Sequence, residues 1–162
     1  MIKKLSFVTA LVGLSSASFA IFSFDLPMDG TQANTGATAT GSIIGTYDPD
    51  TNVLDLLARA NGLTDTPTMS HIHEAPRGAN GGVVFNLGVD STTDFQYYVE
   101  FNETLTDEQE TTLLSGDYYV NVHTSEFPAG EIRGQIAPVP EPATMLALGA
   151  GLAALVARRK RK

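Results

Sequence analysis

The 162-residue chain predicts an all-β fold: a Greek-key β-sandwich or barrel with one short helix. A signal peptide precedes this domain and a transmembrane helix follows it. Three observations lead there. Seven short runs of alternating or β-branched residues follow one another closely, each ended by Gly, Pro, Asn or Asp. Both ends read as targeting segments, and the roughly 120 residues between them make one ordinary domain. Cysteine is absent, so an exported fold must rest on its own core, without disulfides.

Taken in order, Lys3 and Lys4, the apolar run Leu5 to Leu14 and the small-x-small site Ser18-Phe19-Ala20 form a signal peptide over residues 1–20. Signal peptidase is expected to cut after Ala20 or Ala17. Residues 21–36 read as a short apolar-start segment leading into a polar linker, Gly30 to Gly36. Ala37 to Tyr47 and Val53 to Ala60 read as a hairpin about the turn Asp48-Pro49-Asp50-Thr51-Asn52. The turn's Asp-x-Asp-x-Asn spacing resembles a calcium loop. Val53 replaces the glycine such a loop needs at its sixth position, so a plain turn is expected.

Met69 to Glu74, Val83 to Leu87 and Phe95 to Phe101 read as further strands, with the glycine-rich loop Pro76 to Gly82 after the first. Thr106 with Gln109 three residues on forms a capping box, and Gly116 is a stop signal, so Thr106 to Leu114 is the one helix expected. Tyr118 to His123 and Glu131 to Ile136 form a closing hairpin. Pairing Val122 with Ile132 sends Tyr118, Val120, Ile132, Gly134 and Ile136 to one face. It leaves Tyr119, Asn121 and His123 on the other, with Asn121 opposite Arg133 and His123 opposite Glu131.

At the C-terminus come Val139-Pro140-Glu141-Pro142, the uncharged apolar run Ala143 to Ala157, and five basic residues, Arg158 to Lys162. The prolines exclude Glu141 from a helix. The run makes a transmembrane helix over 143–157 of about 22 Å, short for a hydrocarbon core of about 30 Å. The basic block stops it on the cytoplasmic side. These three features in this order resemble the PEP-CTERM sorting tail, here residues 138–162. The resemblance implies recognition by an exosortase-type sorting enzyme through Pro140, Glu141, Pro142, Arg158 and Arg159. It also implies an intermediate in the inner membrane, and an end point in the cell envelope or outside the cell.

Between residues 21 and 140 the only basic residues are Arg59, Arg77 and Arg133, against seventeen Asp and Glu, a net charge near −14. Such a surface excludes nucleic acid as a partner and disfavours anionic lipid.

The chain has three histidines. His71-Ile72-His73 lies on a strand, so both imidazoles share one face. His123 ends another strand. His71-Ile72-His73-Glu74-Ala75-Pro76, Gly78-x-Asn80-Gly81-x-Val83-Val84-Phe85, Gly116-x-Tyr118-Tyr119-Val120-Asn121-Val122-His123-Thr124 and Gly130-Glu131-Ile132-Arg133-Gly134-Gln135-Ile136 together resemble the CHRD domain, named after chordin. That domain is assigned here to residues 37–137. The resemblance implies an extracellular all-β module, immunoglobulin-like or Cu/Zn superoxide dismutase-like in fold, and no settled activity.

The His-x-His strand, the late Val-x-Val-His strand and the Arg-containing closing strand also resemble the copper half of Cu/Zn superoxide dismutases. Carried over, that resemblance makes His71, His73 and His123 the ligands of copper or another transition metal, and Arg133 an anion guide. No bridging histidine or zinc set accompanies them. An alternative role is structural: the histidines would bond loop backbone and Glu131, and Arg133 would pair with Glu131 or Glu74. No nucleophile stands beside a histidine in any motif, so no catalytic residue is assigned. The expected function is that of an exported, non-enzymatic surface or matrix component, with extracellular polysaccharide or surface proteins as partners. The alternative is a mononuclear copper, superoxide dismutase-like protein.

Overall fold

The computed structural model describes residues 21–89, 96–137 and the backbone of 139–140. The expected signal peptide, the start of the Phe95 strand, Glu141, Pro142, the apolar run and the basic block lie outside the described residues. Among the described residues no helix is long and apolar enough to cross a membrane.

The domain is all-β. Its strands are β1 (Phe22–Asp29), β2 (Thr40–Asp48), β3 (Val53–Asn61), β4 (Pro67–Glu74), β5 (Gly82–Asn86), β6 (Tyr97–Thr104), β7 (Tyr118–Thr124), β8 (Ile132–Ile136) and the two-residue β9 (Val139–Pro140). One antiparallel path runs β5-β4-β7-β8-β1-β2-β3-β6. The pairings β3 with β6, β4 with β7 and β8 with β1 skip strands, as Greek-key crossovers do. The sheet curls until its two end strands meet, Phe85 of β5 lying 5.4 Å from Phe101 of β6 between ring centroids. Inside lie Ile43, Tyr47, Leu54, Leu56, Ile72, Tyr118, Val120, Val122, Ile132 and Ile136.

The β2–β3 hairpin forms as its turn chemistry dictates. Asn52 takes the left-handed conformation at φ 58°, and the Asp48 side chain accepts from the Asp50 amide at 2.9 Å. In β3, Leu54, Leu56, Ala58 and Ala60 point inward while Asp55 and Arg59 face solvent, the period of a half-buried strand. Helix α2 (Asp107–Leu114) carries the expected capping box, with Thr106 N donating to Gln109 Oε1 at 2.9 Å and Gln109 N to Thr106 Oγ1 at 3.3 Å. Asp107, Glu108 and Glu110 sit in its first turn, where the helix dipole favours negative charge.

The sequence reading of residues 21–36 needs correction. Phe22–Asp29 is no lead-in to a linker but a strand, paired with β2 over its whole length from Phe22↔Tyr47 to Asp29↔Thr40. Phe24 and Met28 are buried in the core. Pro27 obscured the strand, because proline removes a ladder donor. Here the second edge of β1 pairs only at its ends, with Arg133 of β8 and with β9 at Phe22 and Ser23. Proline falls between those stretches and is tolerated. The four-residue helix α1 (Gly30–Ala33) follows, capped by the Asp29 side chain accepting from Gln32 N at 2.7 Å.

The closing hairpin keeps the expected register, Val122↔Ile132 and Asn121↔Arg133. Gly134 faces β1 and β2 at close range: a Cβ there would stand 2.7 Å from Met28 Cγ and Pro27 O, and 2.9 Å from Ile43 Cδ1. Gly134→Ala should therefore cost about 1–3 kcal/mol, the usual penalty of overpacking. Urea denaturation of wild type and variant measures it; equal midpoints would show that the strands part freely here.

Candidate metal centre

Strand period sets up the site. In β4, Ser70 and Ile72 enter the core, Ser70 Oγ lying 2.6 Å from the buried Tyr97 hydroxyl. Met69, His71 and His73 therefore take the opposite face. On β7 the same face carries Tyr119, Asn121 and His123. The register pairs His73 with Tyr119, His71 with Asn121, and Met69 with His123. His71 and His123 are thus diagonal neighbours, within reach of each other's rings.

All three imidazoles converge. His71 Nδ1 and His123 Nε2 lie 3.2 Å apart, and one ligand atom from each histidine falls within 4.8 Å of the others. Two nitrogens at about 2.05 Å from a tetrahedral ion stand about 3.3 Å apart, close to the first separation. Against the 4.8 Å limit on the cluster, tetrahedral binding must draw the widest pair inward by up to about 1.5 Å.

Backbone carbonyls orient the rings. His123 Nδ1 lies 3.0 Å from Pro128 O and His73 Nδ1 lies 3.0 Å from Gly81 O. A carbonyl only accepts, so both Nδ1 atoms carry protons and both Nε2 lone pairs face the cluster, as outer carbonyls arrange in metal sites. His73 Nε2 is buried and has no hydrogen-bond partner among the described residues. His71 then donates from Nδ1 to His123 Nε2 and must move that proton to its own Nε2 before ligating. Burial, followed by the neighbouring His123 and His73, holds the His71 pKa below its ordinary value. Burial also lowers that of His123, with the Pro128 carbonyl opposing and His73 adding. These rings stay neutral and keep their lone pairs near neutral pH.

The loop 76–82 covers part of this face. The Tyr119 ring stacks on His73 at 5.0 Å and 7°, and its hydroxyl accepts from Gly81 N at 3.2 Å. Only glycine fits at 81, where a Cβ would lie 1.7 Å from Glu74 O. The Arg133 guanidinium sits 3.6 Å from the Tyr119 ring centroid. Since β7 runs between β4 and β8, Tyr119 separates Arg133 from the histidines. Arg133 donates to Ala79 O at 2.8 Å, to Asn80 Oδ1 at 3.4 Å and to Gln135 Oε1 at 3.1 Å. Among the described residues no carboxylate is its partner, in contrast to the expected pairing with Glu131 or Glu74, and the structure does not bring it onto the cluster.

Glu131 differs from expectation too. Fully buried, it bonds no histidine. It accepts from Thr64 N at 2.8 Å, Thr64 Oγ1 at 2.9 Å and Thr124 Oγ1 at 2.8 Å. Sequence reasoning missed this staple because its partner at Thr64 is 67 residues away, and nothing in a Thr-Asp-Thr loop announces a buried carboxylate. Of the sorting residues only Pro140 lies among the described ones, its backbone paired with Phe22.

The CHRD domain model matches residues 24–136, beginning inside β1. The PEP-CTERM protein-sorting motif matches residues 138–162. No curated protein and no solved structure matches the chain. The tail marks an exported protein that an exosortase-type enzyme processes at the membrane on its way to the cell envelope. A match over most of the chain, together with the curled sheet and the His-x-His strand, establishes that the chain belongs to the CHRD domain family and ends in a PEP-CTERM sorting motif.

Proposed function

We propose that this protein is a non-enzymatic surface or matrix component whose CHRD domain holds one transition-metal ion at His71, His73 and His123. The observation that carries the reading is His73 Nε2, buried without a partner and facing two further imidazoles. An orphaned buried acceptor costs about 1–3 kcal/mol, which an ion would recover. The donor set suits the group: imidazoles bind Cu, Zn and Ni, while hard cations prefer oxygen. Met69, exposed and directly opposite His123 on the same face, adds a soft thioether that favours copper.

The test is uptake by the secreted protein as cells release it. One equivalent of copper or zinc per chain in native mass spectrometry, lost on chelation, is expected; a metal-free spectrum after loading would sink the reading. For the sorting half, deletion of residues 138–162 should shift the protein out of its envelope fraction, and unchanged fractionation would remove the tail's role.

A second reading has one observation behind it. His71 is only half-buried, so an ion here would keep a solvent-facing position, as catalytic sites do. Bound copper would supply one-electron chemistry, making a superoxide dismutase-like activity the alternative. Equal superoxide removal by copper-loaded wild type and His123→Ala would exclude it.

A further inference from the structure

We infer that the cleft between Arg77 and Arg133, on the far side of Tyr119 from the histidines, is a binding site for a monovalent, ring-sized carboxylate. It stands apart from the metal reading and does not depend on it.

Charge distribution is the first ground. Three arginines stand against seventeen acidic residues between positions 21 and 140, so scattered single cations would be the plain expectation. Two of the three instead line one cavity of about 250 Å³, together with Thr31, Gln32, Gly78 and Gln135. Among the described residues neither has a carboxylate as hydrogen-bond partner. Arg77 donates to Gln32 Oε1 at 3.2 Å, and the Arg133 bonds all end on neutral oxygens. The nearest acidic group by register, Asp29, accepts from the Gln32 backbone N at 2.7 Å and from its Nε2 at 3.1 Å, and among the described residues it bonds neither arginine.

Burial is the second. Arg133 is 4 % exposed, and a buried charge without a counter-charge is costly. Burial and the like charge of Arg77 both disfavour its protonated form, against which the Tyr119 ring gives partial relief. An anion between the two guanidinia would reverse that balance.

The chemistry of the donors selects the anion. A guanidinium offers five N–H groups in a plane, and Arg133 commits three bonds to protein acceptors while Arg77 commits one. The remaining forks match a planar carboxylate. The surrounding acidic field repels a multiply charged anion more than a monovalent one. The volume admits about one sugar-sized ring, whose hydroxyls Thr31 can meet.

Glucuronate is a suitable probe, with its methyl ester as the uncharged control, and a polyglucuronate oligomer to tell a free acid from a polymer unit. Titration of the 15N-labelled mature chain should shift the amides of Thr31, Gln32 and Gly78. Arg77→Gln, an exposed change that leaves the core intact, should weaken binding at least tenfold, and 0.5 M salt should weaken it further. Saturation by monomer identifies a free acid, and response to the oligomer alone identifies a polymer; either supports the site. Equal binding of the ester, preference for phosphate, unshifted amides, or unchanged affinity in Arg77→Gln would overturn it.

Discussion

Replacing His73 by alanine should weaken metal binding by more than about 100-fold. Loss of an outer-shell partner alone costs about 10- to 100-fold in metal affinity, and His73 would be a direct ligand with its ring fixed by Gly81 O and Tyr119. The effect should also show as lost stabilisation. An ion that binds only the folded chain, at 100 times its Kd, adds about 2.7 kcal/mol. For a domain of this size that is roughly 10 °C in Tm. Wild type should therefore gain about that much on adding copper or zinc, and His73→Ala almost none. Removing the ring also relieves the orphaned nitrogen, so the metal-free variant should lose less stability than a core truncation would. A Tm that rises equally in both proteins would show that the metal binds elsewhere, with the acidic surface as the first place to look.

What made parts of this molecule legible is the locality of their causes. The closing hairpin could be registered because Val120, Val122, Ile132 and Ile136 must share a face, and a slip of one residue would bury the opposite set. The cap at Thr106 and the turn at Asp48 involve neighbours only. Strand β1 carries a legible pattern as well: Phe22, Phe24, Leu26 and Met28 alternate, but Pro27 inside the run lacks a ladder donor and argues against a paired strand. For the histidines, period two placed His71 and His73 together, yet nothing local says that β4 pairs with β7, three strands later in the chain. That pairing, with Met69 opposite His123, is what converts three scattered histidines into one cluster. The Arg133 pairing with Glu131 or Glu74 differs for the same reason: besides nearby Gln135 it bonds Ala79 and Asn80, in a loop 54 and 53 residues earlier.

Glu131→Ala is expected to be the most damaging single change in the domain, costing about 3–5 kcal/mol. Its carboxylate accepts from the backbone and hydroxyl of Thr64 and the hydroxyl of Thr124, tying the β3–β4 loop to β7 and the entry of β8. Hydrogen bonds to a charged group contribute about 1.5–3 kcal/mol each, and unpaired donors left behind carry their own penalty. The sum is discounted because the wild-type side chain is itself buried with no cation bonded to it among the described residues, a cost that alanine removes. Glu131→Gln separates these contributions. Its amide oxygen can keep the Thr64 backbone bond while its NH2 meets two hydroxyls, which rotate to accept. That variant should lose only about 1–2 kcal/mol, so the order wild type, Gln, Ala in urea midpoints is the signature. Against a total stability of about 5–15 kcal/mol, the alanine variant would sit near the threshold of folding. If alanine and glutamine proved equally mild, within about 0.5 kcal/mol of wild type, water would be replacing the carboxylate and the staple would hold nothing.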